Sequence, residues 1–168
     1  EFAKLYENSF RSINISFVNQ MKMICDKLSI DIREVIETCK TKPFGFTPFY
    51  PGPGMGGHCI PIDPLFISWI AKKRNVSSEF IENSRRVNFQ ITKWIIHKIM
   101  NYLNKNKNKR VLLFGITYKK NINDTRESPG LKMLEYFKNK GVKIDFFDPF
   151  VDKVNIKGAL FKSIRNYE

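Results

Sequence analysis

The segment Gly54-Met-Gly-Gly-His-Cys-Ile-Pro-Ile-Asp-Pro64 concentrates the reactive chemistry of this chain. It sets one thiol, Cys59, at the end of a glycine-rich loop, with a carboxylate, Asp63, four residues on. Glycines without side chains let a ligand press against backbone, so this thiol is better sited for nucleophilic work than for packing. An isolated cysteine more often behaves as a small buried hydrophobe. The residues around Cys59 argue against that plainer role. Pro61 and Pro64 are expected to stop a helix from forming across the loop. His58 adjoins the cysteine, but neighbours in a tight turn point apart, so a Cys-His dyad is not expected.

A second pair is Lys4 and Asn8, four apart on one face of a predicted opening helix. An ammonium and an amide together can hold a developing oxyanion, although surface Lys and Asn are common. A third pair, Lys119 and Arg126, brackets the loop that follows a predicted strand. Loops at the carboxyl ends of parallel strands are where α/β folds bind ligands, and two cations near a helix start suit phosphates. The plainer alternative is a solvated loop in which Glu127 pairs locally. Lys42, just before Pro43, is placed to reach a phosphate on position alone. Gly52-Pro-Gly-Met-Gly-Gly57 satisfies the letters of GxGxxG. That fingerprint needs a strand before it and a helix after it, and neither flank fits.

These residues need elements to hold them. Residues 3 to about 28 read as one long helix, with Leu5, Ile13, Phe17, Met21, Ile24 and Leu28 at helical spacing. Asp31 caps a short helix carrying Ile32, Val35 and Ile36. From Thr41 to Pro64 proline and glycine are too dense for a regular element. Helix resumes over Leu65–Lys73. Another, capped by Ser77 or Ser78, runs to about Leu103 with Ile91, Trp94, Ile95 and Ile99 on one side. The aromatic residues at helical spacing, with Cys25 and Cys39, read as core.

The composition then changes. Arg110–Gly115 is a short buried-strand signal, Ser128-Pro129 opens a helix that carries Leu131, Leu134 and Phe137 and ends at Gly141, and Val142–Phe147 is a second strand. This β-α-β order favours a parallel sheet. The expected fold is α/β overall: an all-helical domain over 1–107, then the beginning of a Rossmann-like parallel α/β domain over 108–168. Two strands and one helix cannot complete such a sheet, so the chain reads as a fragment.

The bulk numbers exclude several classes. No run of about 18 apolar residues predicts a membrane span, and no secretory signal is expected from the opening residues. Three cysteines, at 25, 39 and 59, form neither a CxxC pair nor an even set, which suits reduced thiols in a cytoplasm and no metal site. The net charge of +13 permits nucleic acid, yet its densest run, Asn104–Arg110, reads as a solvated connector. No nucleic-acid motif accompanies it, and anionic small molecules fit the charge equally well.

Taken together, the blocks resemble the UDP-glucose/GDP-mannose dehydrogenase family. Ala3-Lys-Leu-Tyr-Glu-Asn8, Gly54–Pro64 and Gly115-Ile-Thr-Tyr-Lys-Lys-Asn-Ile-Asn-Asp-Thr-Arg-Glu-Ser-Pro129 occur in the family's order and spacing. The resemblance implies oxidation of a nucleotide-sugar C6 alcohol to a carboxylate with two NAD⁺. It makes Cys59 the nucleophile, Lys4 and Asn8 the groups on the oxyanion, and Asp63 a base or water holder. It also implies that Tyr50, Gly52, Gly54 and Gly56 line the sugar, that Lys119 contacts the nucleotide sugar, and that Arg126 contacts NAD. Lys42-Pro-Phe-Gly-Phe46, Tyr50-Pro-Gly-Pro-Gly54 and His58 lean toward the branch acting on UDP-N-acetylglucosamine, with UDP-N-acetylmannosamine and UDP-glucose as alternatives. The family's N-terminal NAD-binding domain is absent from the chain, so the fragment alone is expected to be inactive. A homodimer through the opening helix and a place in surface polysaccharide synthesis follow by the same analogy. A non-catalytic interaction module derived from the family is the competing class.

Overall fold

A computed structural model describes residues 1–106 and 110–164. The expected domain boundary at 107/108 lies outside the described residues. The elements run α1 (Phe2–Lys27), α2 (Ile32–Lys40), α3 (Cys59–Lys73), α4 (Glu79–Lys105), β1 (Arg110–Phe114), α5 (Pro129–Asn139), β2 (Lys143–Phe147), β3 (Lys153–Ile156) and β4 (Ala159–Lys162). They form two compact units. The first comprises Glu1–Gly54 and Cys59–Ile91; the second takes Met55–His58 and the chain from Thr92 on. The single helix α4 contributes to both.

In the first unit α1 packs against α2 and α3. Ser29 turns the chain at a positive φ of 57°, and the Asp31 carboxylate then accepts from Arg33 N to cap α2. Ile32 and Ile36 bury with Val18 and Cys25 of α1, while Met21 and Phe49 pack around them. The apolar residues at helical spacing along α1 do not fill its buried face. Leu5, Ile13 and Met21 are half-buried, and Phe17, Ile24 and Leu28 are exposed. The buried face is mostly small and polar: Asn8, Ser9, Ser12, Ser16 and Asn19, with Val18 and Cys25. Hydrogen bonding makes most of such an interior tolerable. Ser12 Oγ and Ser84 Oγ lie 3.2 Å apart, Asn19 Nδ2 donates to Asn88 Oδ1 at 3.1 Å, and Asn88 Nδ2 donates to Ser84 O.

Several aromatic residues expected in the core behave likewise. Phe17, Phe66, Trp69, Phe80 and Phe89 are all exposed, and Trp94 is half-buried. Cys25 is buried, whereas Cys39 is only half-buried. A further correction concerns the prolines: α3 begins at Cys59 and runs through both Pro61 and Pro64. The first-turn amides of a helix have no intrahelical acceptor, so Pro61 forfeits no bond there. Pro64 removes one, and its ring is buried.

In the second unit β1 and β2 pair in parallel, Arg110 opposite Lys143 through Phe114 opposite Phe147. Ser128 caps the intervening α5, with Pro129 in its first turn. Gly141, at a φ of 69°, ends it, and Val142 N reaches back to Phe137 O. Leu134, Phe137, Phe146 and Ile116 are almost fully buried, with Ile96 and Leu103 of α4 among them. The buried-strand expectation for β1 holds on one side only: Val111 and Leu113 pack on this core, whereas Leu112 and Phe114 are exposed. The chain also supplies strands that the two-strand reading omitted. β3 and β4 form an antiparallel hairpin through Lys157-Gly158, both at positive φ, and Ser163 bridges in parallel to Phe146.

Candidate active site

Lys4 and Asn8 lie one turn apart near the start of α1, and the packing of α1 on α3 brings Asp63 to them. Asn8 Nδ2 donates to Asp63 Oδ2 at 2.7 Å, and Lys4 Nζ lies 3.5 Å from the same oxygen. Asn8 and Asp63 are buried, while the Lys4 side chain is 64% exposed. A buried carboxylate needs such partners, since desolvating a charge without them is costly. Cys59, exposed and a free thiol, is the first residue of α3, one turn before Asp63. The amides of that first turn have no intrahelical acceptors, and their dipole favours negative charge at the helix start. Spacing therefore reaches Lys4 with Asn8 and Cys59 with Asp63, and helix packing joins the pairs through Asp63.

Arg11 belongs to the same cluster and sequence reading passed over it. Its Nη2 donates to Asn8 Oδ1 at 2.6 Å and lies 3.2 Å from Glu7 Oε1. The available signal was its position three residues after Asn8, on the same helical face.

The loop before α3 is tied down at two points within the first unit. Gly52 N donates to Asn19 Oδ1 at 2.9 Å, linking the loop to the amide pair of Asn19 and Asn88. Tyr50 Oη donates to Glu37 Oε1 of α2 at 2.6 Å, and Lys40 pairs with the same carboxylate. The Tyr50 hydroxyl and Lys40 hold Glu37 below the ordinary carboxylate range. The Glu37 carboxylate, in turn, pushes the Tyr50 phenol up. Lys42 is exposed, just past α2, and Gly54 has a φ of 129°.

Gly56 and Gly57 belong to the second unit and are close-packed there. A Cβ on Gly56 would meet Tyr118 Cβ at 2.5 Å and Glu127 O at 3.0 Å. One on Gly57, at a φ of 80°, would meet the Tyr118 ring at 2.7 Å, and Gly57 N donates to Arg126 O at 2.8 Å. Packing on the 115–128 loop thus requires glycine at both positions.

That loop is itself clamped. Ser128 Oγ donates to Ile116 O at 2.6 Å, and the buried Asp148 accepts from Ile116 N at 2.8 Å and from Phe150 N and Val151 N. Sequence reading missed Asp148, which directly follows β2. Lys119 is exposed. Arg126 forks onto Asp124, Nη2 at 2.6 Å and Nε at 3.0 Å from Oδ2, and this holds the Asp124 carboxyl below its usual range. Glu127 pairs with Lys132 at 2.8 Å, the local pairing that the plainer reading anticipated. Among the described residues no group of three or more His, Cys, Asp or Glu could hold a metal ion, and no helix is long and apolar enough to cross a membrane.

Comparisons with known proteins identify the family of both parts of the chain. Residues 1–90 match the UDP-glucose/GDP-mannose dehydrogenase family, central domain, and residues 112–167 match that family's UDP binding domain. The UDP-N-acetyl-D-mannosamine dehydrogenase of Methanococcus maripaludis is 36% identical over 90% of this chain and 35% of its own length. The NDP-N-acetyl-D-galactosaminuronic acid dehydrogenase of Ralstonia nicotianae is 36% identical over 80% of this chain and 31% of its own. Among solved structures, UDP-D-ManNAc dehydrogenase from Pyrococcus horikoshii superimposes with a TM-score of 0.80 at 32% identity, covering 90% of this chain and 36% of that one. The UDP-N-acetyl-mannosamine dehydrogenase of Staphylococcus aureus gives 0.75 at 30% identity, covering 94% and 35%. The chain thus spans about a third of the length of the curated relatives it matches. Its fold is a helical central domain followed by the beginning of a Rossmann-like domain, and the chain belongs to the UDP-glucose/GDP-mannose dehydrogenase family.

Proposed function

We propose that this chain is the catalytic middle of an NAD-dependent UDP-N-acetylhexosamine 6-dehydrogenase. The observation that carries the reading is the convergence of Lys4, Asn8 and Asp63 one helical turn from an exposed Cys59. Turning an alcohol into an acid takes two oxidations, and the aldehyde between them must be held. The Cys59 sulfur adds to the aldehyde carbon, and the carbonyl electron pair moves to oxygen, giving a thiohemiacetal. Lys4 and Asn8 supply donors to that oxygen. The second oxidation leaves a thioester. Water assisted by Asp63 adds to it, the carbon–sulfur bond breaks, and the acid departs with the thiol restored.

NAD, when bound, supplies the hydride acceptor for both oxidations. Arg126 fits a role in holding it, because Asp124 braces an exposed guanidinium of the kind that pairs with phosphate. Lys119 is the proposed contact to the nucleotide of the substrate, with Tyr50, Gly52, Gly54, Gly56 and Lys42 as further substrate positions. The block before Cys59 leans toward the gluco sugar, whereas the relatives' names favour the manno sugar.

The first test is the count of NADH formed per UDP-N-acetylmannosamine and per UDP-N-acetylglucosamine consumed by the complete protein. Two per sugar is expected; one would end the reaction at the aldehyde and remove Cys59 from its role. Cys59→Ser should abolish acid formation, and uronate made at an undiminished rate would sink covalent catalysis. A homodimer through α1 belongs to the same reading. Its support is the exposed row Tyr6, Phe10, Phe17, Ile24 and Leu28 along that helix. The free thiols suit a reducing cytoplasm.

A further inference from the structure

We propose that Arg11 is a positioning residue that locks the Asn8 amide with its nitrogen toward Asp63 and the reacting oxygen. This rests on the function proposed above. Guanidinium groups only donate hydrogen bonds, so the contact from Arg11 Nη2 requires the oxygen of Asn8 on that side. The amide nitrogen must then face Asp63, where one of its two protons is used at 2.7 Å. The other proton is the one Asn8 has to offer a substrate oxygen.

An ionised Asp63 would impose the same orientation by itself. A base, however, carries a proton for part of each turnover. A protonated Asp63 can donate, and an unrestrained amide would then turn its oxygen to it, presenting an acceptor to the reacting oxygen. Arg11 closes that route because its charge is permanent at working pH. Glu7, 3.2 Å from the same Nη2, steadies the guanidinium at the surface, where an exposed pair contributes little. The geometry makes Arg11 the residue that keeps Asn8 a donor throughout the cycle.

The test uses the complete protein with UDP-N-acetylmannosamine and UDP-N-acetylglucosamine. Arg11→Met keeps most of the aliphatic stem and removes the donors. It should lower kcat by about ten- to a hundredfold, the equivalent of one hydrogen bond to a charged group, and leave KM within about threefold. In Arg11→Ala, millimolar ethylguanidinium should restore part of kcat, which a purely structural side chain would not allow. Glu7→Gln should stay within about threefold of wild type. An Arg11→Met enzyme with kcat near wild type overturns the proposal, as does a deficit that ethylguanidinium leaves untouched. Loss of folded protein in both Arg11 variants, read by circular dichroism, would make the residue structural and also overturn it. If the wild type oxidises neither sugar, the function reading itself fails and takes this one with it.

Discussion

Asp63 shows how a buried carboxylate acquires chemistry from its neighbours. It is stranded in a loop by sequence, yet it accepts from Asn8, lies within reach of Lys4 and sits a helical turn from a thiol. The pairs spaced four apart were legible in the sequence because a helix converts that spacing into proximity. Their meeting was not, since 55 residues separate Asn8 from Asp63 and only helix packing joins them. Arg11 was not legible in the sequence, because an arginine four residues from a glutamate on a helix reads as a solvated cation. The Tyr50–Glu37 link yields a titration. Glu37 has a folded pKa below its unfolded value, so its contribution is present above the ordinary carboxylate range and is lost as pH falls through the lowered value. Tyr50 is raised, so its contribution persists below the ordinary phenol range and is lost as pH rises through the raised value. In an ultraviolet titration of the phenolates, Glu37→Gln should move one tyrosine to lower pH, and Tyr50→Phe should remove that transition. An unchanged curve for Glu37→Gln would break the link.

Helices and strands were read best where local chemistry governs them. The Asp31 and Ser128 caps, the Gly141 stop and the β-α-β order are all set within a few residues. The helix across Pro61 and Pro64 was not legible, because the cost of a proline depends on whether its amide position needs a partner. The β3–β4 hairpin is short, and its Lys157-Gly158 turn was the signal available. Ser128 joins two elements, capping α5 and donating to Ile116 O. Ser128→Ala should therefore cost about 1–3 kcal/mol in a urea titration, because it leaves a buried carbonyl without its donor. For α1, the exposed apolar row predicts that Phe17→Asp converts a dimer to monomer in sedimentation of the complete protein at micromolar concentration. A dimer that survives the substitution would move the interface elsewhere.

The two compact units differ in what fills them. The second is built on Leu134, Phe137, Phe146 and Ile116, a dense apolar cluster, while α2 rests on a small one around Ile32 and Ile36. Hydrogen exchange should therefore be slower in α5 and β2 than in α2, and equal protection in the three elements would contradict the ranking. The apolar periodicity of α1 was legible, but the side it faces was not, because serine and asparagine rather than that row pair α1 with α4. Between α1 and α4, the hydroxyls of Ser12 and Ser84 and the amides of Asn19 and Asn88 carry the junction. Asn19→Ala should cost about 2–4 kcal/mol by stranding Gly52 N and Asn88 Oδ1. Such a junction has a calorimetric consequence. Wetting apolar surface raises heat capacity, whereas wetting polar surface lowers it. Melting the α1–α4 contact should therefore raise the heat capacity less per residue than melting the sheet unit. The stability of the helical unit should accordingly curve more gently with temperature and hold its strength further into the cold.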